Sequence, residues 1–225
     1  MVIAGIEVQI NRKKIKNMYV YVKPPNGAVL VSAPLNMSDD AIERFVRSKA
    51  GWIKVQQTKF ARQLPQTERQ YVSGETLYLW GKQYLLNVDF SNKNSIELSD
   101  NIVKLTVRQD STVKQREKFV REWYRELLKI EITRLLPEYE NLTGLKCKSW
   151  QTKYMTSRWG TCNTAERKIW FNLQLAKKPV ECLEYIILHE LIHLRIKNHG
   201  ADFIVLMDKY MPLWREVKKK LRSSE

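Results

Sequence analysis

The chain has 225 residues, 44% of them apolar and 28% charged. That is enough for one large domain or two small ones with a real core, and it excludes collagen-like, low-complexity and disordered classes. Lys and Arg number 39 against 24 Asp and Glu, a net charge of +15. That charge suits a polyanionic partner such as nucleic acid or a nucleotide, or serves solubility alone. No apolar run reaches the ~18 residues of a membrane span, so no membrane partner is expected. Met1 to Ile10 lacks the pattern of a secretory signal. Cys147, Cys162 and Cys182 are widely spaced and form no C-x-x-C pair. A reducing, cytoplasmic setting is therefore expected rather than a disulfide framework.

In chain order, residues 1–110 read as short strands around one helix. Ile6, Val8 and Ile10 alternate with polar residues, as do Tyr19, Tyr21, Val29 and Val31, with a turn signal at Pro24-Pro25-Asn26-Gly27. Ser38 is a candidate N-cap, with Asp39 and Asp40 suited to the positive helix end. Ile42, Phe45, Val46, Trp52, Ile53 and Phe60 then recur at helical spacing, closed by Pro65. Leu77–Trp80 and Tyr84–Val88 flank Gly81 as a hairpin, and Ile96–Leu98 and Ile102–Val107 flank the turn Ser99-Asp100-Asn101. This part reads as a β-rich module with no chemistry of its own.

Composition shifts near Asp110, and a second domain is expected over 111–225. Thr112 to Leu136 is free of Gly and Pro, and predicts a helix ending before Pro137. Strands are predicted at Cys147–Thr152 and around Ile169–Leu173. A long helix follows over Val180–Lys197, then a helical region over Ala201–Arg222 interrupted at Pro212. The fold class is α+β.

The chemistry concentrates at His189-Glu190-Leu191-Ile192-His193, with His199 six residues on; no other histidine occurs in the chain. On a helix His189 and His193 share a face one turn apart, so two imidazoles can bind one cation. Glu190 can reach a metal-held water without binding the metal, which is the H-E-x-x-H pattern of zinc hydrolases. The surrounding run from Cys182 to Leu194 is apolar on nearly all sides, as a buried helix requires. His199 is the natural third ligand, with a helix C-cap as its alternative role. Its spacing from His193 equals that of the metzincin pattern, but Ile196 stands where that pattern has Gly. The chain must then turn differently, helped by Asn198 and Gly200. In Thr156–Cys162, Arg158 can stabilise negative charge on a substrate oxygen, or can be a surface or phosphate-facing arginine.

The chain resembles the YgjP-like zinc metallopeptidase family, related to the SprT-like zincins, over nearly its whole length. The resemblance rests on Glu43-Arg44-Phe45-Val46-Arg47 with Trp52-Ile53, on Ser73-Gly74-Glu75, and on Tyr78-Leu79-Trp80-Gly81. It continues through Ser157-Arg158-Trp159-Gly160-Thr161-Cys162 and His189–Leu194 to Asn198-His199 and Phe203. Gly200 and Ile204 stand where the family usually has Ser and Trp. The resemblance implies an N-terminal β-rich subdomain followed by a zincin-like metallopeptidase domain, with an H-E-x-x-H active helix, three His ligands and a Glu base.

The expected reaction is hydrolysis of a peptide or protein. One Zn²⁺ per chain, held by His189, His193 and His199, lowers the pKa of a water from about 15.7 to about 7, and Glu190 takes the proton. Two alternatives stay open on the same residues. One is a metal-dependent nucleotide phosphohydrolase acting as a nucleoside triphosphate pyrophosphatase; the other is a DNA-associated protease or adaptor. For the second, Arg12, Lys13, Lys14 and Lys16 form a basic cluster expected in a loop between the first two strands. There they can contact phosphates or remain plain solvated surface.

Overall fold

The computed structural model describes residues 1–23, 26–62 and 69–222. The expected turn at Pro24-Pro25 and the break at Pro65 lie outside the described residues, as does the side chain of Phe60. Two compact units divide the chain, Met1–Glu68 and Arg69–Glu225.

In the first unit, strands β1 (Val2–Ile3), β2 (Ile6–Lys13), β3 (Tyr19–Lys23) and β4 (Ala28–Pro34) form a sheet in the order β1-β2-β4-β3. β2 and β4 run parallel and the other pairs antiparallel. Helix α1 (Asp39–Arg62) supplies Ile42, Val46 and Ile53, all fully buried, to a core shared with Ile6, Val8, Val29 and Val31. The Ser38 hydroxyl accepts from the Ala41 amide at 3.3 Å and so acts as the expected cap. Trp52, placed in the apolar stripe by its spacing, is exposed.

The basic cluster is not a free loop. Arg12 and Lys13 lie within β2. The Arg12 guanidinium donates to the carbonyls of Leu35 (3.2 Å) and Met37 (2.5 Å) and to Asp39 (2.6 Å). It ties the end of the strand to the start of α1, which leaves it few donors for a phosphate. Lys14 and Lys16 are exposed in the turn that follows.

The second unit holds two sheets and four α-helices among its described residues. Strands β5 (Thr76–Leu79), β6 (Lys82–Phe90), β7 (Ser95–Ser99) and β8 (Ile102–Val107) are ordered β5-β6-β8-β7. Strands β9 (Ser149–Lys153), β10 (Gly160–Asn163) and β11 (Lys168–Asn172) are ordered β10-β11-β9, with β10 at an edge. The helices are α2 (Val113–Thr143), α3 (Val180–His193), α4 (Ala201–Tyr210) and α5 (Trp214–Arg222). One core joins Leu79, Leu86 and Leu105 to Leu128 and Ile132 of α2 and Leu183, Ile187 and Leu191 of α3. The division therefore falls at 68/69 and not at 110. The compositional shift near Asp110 marks a change from strand to helix within one core. Among the described residues no helix is long and apolar enough to cross a membrane.

Local chemistry explains several of the boundaries. Trp80 and Gly81, both at positive φ (50° and 76°), form the two-residue hairpin turn between β5 and β6. A Cβ at Gly81 would lie 2.6 Å from Pro179 Cγ, so this turn can seat against the start of α3 only with glycine. Thr112 and Gln115 cap α2 reciprocally, and Gly144 ends it at φ 69°. The helix passes through Pro137, where it was expected to stop. Pro137 and Thr133 are exposed, so the Thr133 carbonyl that loses its partner can turn to water, while Leu135 and Leu136 stay buried.

Candidate active site

Helix α3 is buried along Cys182, Leu183, Tyr185–Leu188, Leu191 and Ile192. Packing on so many sides fixes its position, so the side chains it presents are rigidly placed. It ends at His193, four residues before the expected Lys197. A helix continued to 197 would carry residue 199 about 9 Å along the axis from His193. Instead the chain turns through 194–200 and brings His199 back. The Nε2 atoms of His189, His193 and His199 lie 3.2, 3.1 and 3.0 Å from one another.

Three ring nitrogens so close cannot all satisfy one another by hydrogen bonds, because a neutral imidazole has one N–H. His193 Nδ1 sits 2.9 Å from the Ile196 carbonyl, which assigns the proton to Nδ1 and leaves the Nε2 lone pair free. Burial pushes His189 down to about 3, reinforced by repulsion from His193, His199 and Lys218. His199 is lowered too, by burial first and then by His193 and Lys218. These two rings therefore stay neutral near pH 7, the form in which histidine binds metal. The three nitrogens can hold one metal ion between them. Phe203, on the first turn of α4, lies 4.9, 5.1 and 4.8 Å from the three rings, centroid to centroid. It packs against the whole triad. His189 Nδ1 is buried without a hydrogen-bond partner, so Tyr185 and Phe203 hold that ring by contact alone.

Glu190 is 4% exposed, and burial pushes its carboxyl up to about 8, with Arg158 opposing. Strand β10 covers it. A Cβ on Gly160 would meet Glu190 Oε1 at 2.6 Å and Ile186 Cγ2 at 2.9 Å. Glycine is required here by close approach and not by its φ angle. Gly160→Ala is expected to cost about 1–3 kcal/mol, the usual penalty of overpacking, and to push the Glu190 carboxylate aside. Thermal melts and turnover measured together test this. An alanine protein with unchanged Tm and unchanged activity would show that the contact constrains nothing.

Buried Asn172 organises the segment that carries Arg158. Its Nδ2 donates to the carbonyls of Met155 (2.9 Å) and Arg158 (2.6 Å), and its Oδ1 accepts from the Gln174 amide (3.1 Å). The Asn172 amide donates to the Trp159 carbonyl at 2.8 Å. By the alternation of an antiparallel pair, the N–H and C=O groups of Gly160 and Cys162 then face the open edge of the sheet. Arg158, Gly160, Glu190 and the three histidines line one cleft of about 890 Å³, closed on another side by Trp214, Lys218 and Arg222 of α5.

The structure thus brings together His189, His193, His199, Glu190 and Arg158. Arg12, Lys13, Lys14 and Lys16 belong to the other unit and line no part of this cleft. Sequence reasoning assigned no role to Asn172, Gly160 or α5. The helix α5 was itself expected, within the helical region over Ala201–Arg222; the signal for its role lies in the four-residue spacing of Lys218 and Arg222, which puts both on one helical face.

A family model for the YgjP-like metallopeptidase domain matches residues 16–224. No curated protein matches the chain. Among solved structures it is similar to the crystal structure of the metallopeptidase zymogen abylysin of Pyrococcus abyssi. The identity is 18%, over 40% of this chain and 90% of that chain, with a TM-score of 0.38. It is also similar to the metallopeptidase zymogen jannalysin of Methanocaldococcus jannaschii, 26% identical over 42% of this chain and 92% of that chain, with a TM-score of 0.34.

Proposed function

This chain belongs to the YgjP-like metallopeptidase family, and on that premise we propose that it hydrolyses peptide bonds with one Zn²⁺ per chain. His189, His193 and His199 are the ligands and Glu190 is the general base. The observation that carries the reading is the convergence of three Nε2 atoms within 3.0–3.2 Å, beside a buried carboxylate on the next residue of the same helix. Neutral nitrogen donors suit zinc, and three protein ligands are the number found in catalytic sites.

Zinc, when bound, supplies the Lewis acidity that lowers the pKa of water and polarises a carbonyl. The protein does the rest. Glu190 accepts a proton and later delivers it to the leaving amine, a role suited to a carboxyl whose affinity for protons burial has raised. The open edge of β10 can hold an extended peptide through the outward groups of Gly160 and Cys162. Arg158 lines the same cleft, and in this reading its guanidinium stabilises a developing oxyanion.

Incubation of the zinc-loaded protein with casein and, separately, with nucleoside triphosphates tests the reading. Casein should be cleaved and the triphosphates left intact. Triphosphate hydrolysis without any peptide cleavage would overturn it in favour of a phosphohydrolase.

A further inference from the structure

The cleft walls carry an unbalanced charge. Arg158, Lys197, Lys218 and Arg222 all line the cleft, and its one carboxylate is buried Glu190. Arg158 acts on Glu190, while Lys197, Lys218 and Arg222 form no ion pair with a carboxylate among the described residues. Helix α5 shows the contrast within a single element. Its Arg215 pairs with Asp208, and its Lys220 pairs with Glu181 at 2.7 Å. Lys218 and Arg222, one turn apart on the face toward the cleft, pair with no acid among the described residues. Lys218 is half-buried, its ammonium 5.2 Å from the Trp214 ring.

The position of α5 gives this charge a purpose. Trp214 stacks on Tyr185, with centroids 6.2 Å apart and planes 2° apart. Tyr185 and His189 form one row of α3, on the side of α5. Ile186 and Glu190 form the neighbouring row, against Gly160 of β10. The histidines therefore lie between an open strand edge and a cationic helix. The open edge at Gly160 and Cys162 and the cations Lys218 and Arg222 line the same cleft.

We infer that the substrates are acidic peptides, and that Lys218 and Arg222 receive a substrate carboxylate beside the scissile bond. The inference rests on the peptidase reading. The carboxylate can come from an Asp or Glu side chain or from a free C-terminus, and the test separates the two.

The test uses fluorescein-labelled peptides that differ only at their central residues (Glu, Gln or Lys), each with a free or amidated C-terminus. Binding to zinc-loaded Glu190→Gln protein is read by anisotropy, and cleavage of the same set by the unaltered protein. Glu peptides should bind about fivefold tighter than Gln peptides, the scale of one to two half-exposed ion pairs. A preference that disappears on amidation, whatever the central residue, assigns the carboxylate to the C-terminus. Lys218→Gln with Arg222→Gln should bring the Glu-to-Gln ratio close to one. Lys218→Glu with Arg222→Glu should invert the preference toward Lys peptides. Equal binding of all peptides, or an acid preference that survives both double variants, overturns the inference. Charge-dependent binding without cleavage of any peptide upholds this anion site and overturns the peptidase reading instead. Binding of a nucleoside triphosphate with no binding of any peptide overturns both.

Discussion

Glu190→Gln should reduce peptide hydrolysis by about 10²–10⁴-fold, the usual contribution of a general acid–base group, while fold and metal content are kept. Glutamine has the shape of glutamate, so the contacts with Gly160 and Ile186 survive. It also suits its surroundings better. Glu190 is 4% exposed and its carboxyl is pushed up to about 8, so the neutral side chain escapes the cost of a buried charge. The melting temperature should stay level or rise slightly. The measurement is kcat/KM on a fluorogenic peptide, with zinc content by mass spectrometry on the same sample. Near-normal turnover would remove Glu190 from the mechanism. Lost activity together with lost zinc would mean that the carboxylate holds the metal site together and is not the base.

The features legible in the sequence were those set by neighbours in the chain. The cap at Ser38, the hairpin around Gly81 and the four-residue spacing of His189 and His193 each depend on a few adjacent residues. What escaped depends on segments far apart. Gly160 matters because Glu190, thirty residues on, lies under it; no local pattern announces that contact. Arg12 read as one of four exposed cations, yet its acceptors are at Leu35, Met37 and Asp39, brought near by the parallel pairing of β2 and β4. The end of α3 is similar. The intrinsic preferences of Leu194, Arg195 and Ile196 all permit helix. Helix α3 stops at His193, where Phe203 and the three histidine rings cluster on one another, so tertiary contact overrides propensity. The unit boundary was misplaced for a related reason: which core a strand joins is not written in its own residues.

His199→Ala should abolish stoichiometric zinc binding without unfolding the protein, and it discriminates better than replacement of His189. His189 is wedged between Tyr185 and Phe203, so its removal opens a cavity and confuses metal loss with damage to the core. His199 is exposed on the turn before α4, and its loss deletes a donor with little packing. The unaltered protein should carry about one zinc per chain, as a mononuclear site requires. Removal of an outer partner of a metal ligand already costs about 10–100-fold in affinity, so loss of a ligand itself should cost at least about 100-fold. Binding to the folded state alone adds RT ln(1 + [L]/Kd), or about 4 kcal/mol when free zinc is a thousandfold above Kd. A chelator should therefore lower the Tm of the unaltered protein by several degrees and leave that of His199→Ala almost unmoved. If His199→Ala kept full zinc affinity and the same chelator-sensitive Tm, the third ligand would have to be another residue. The approach of His199 to the other two rings would then be packing around Phe203 and not coordination.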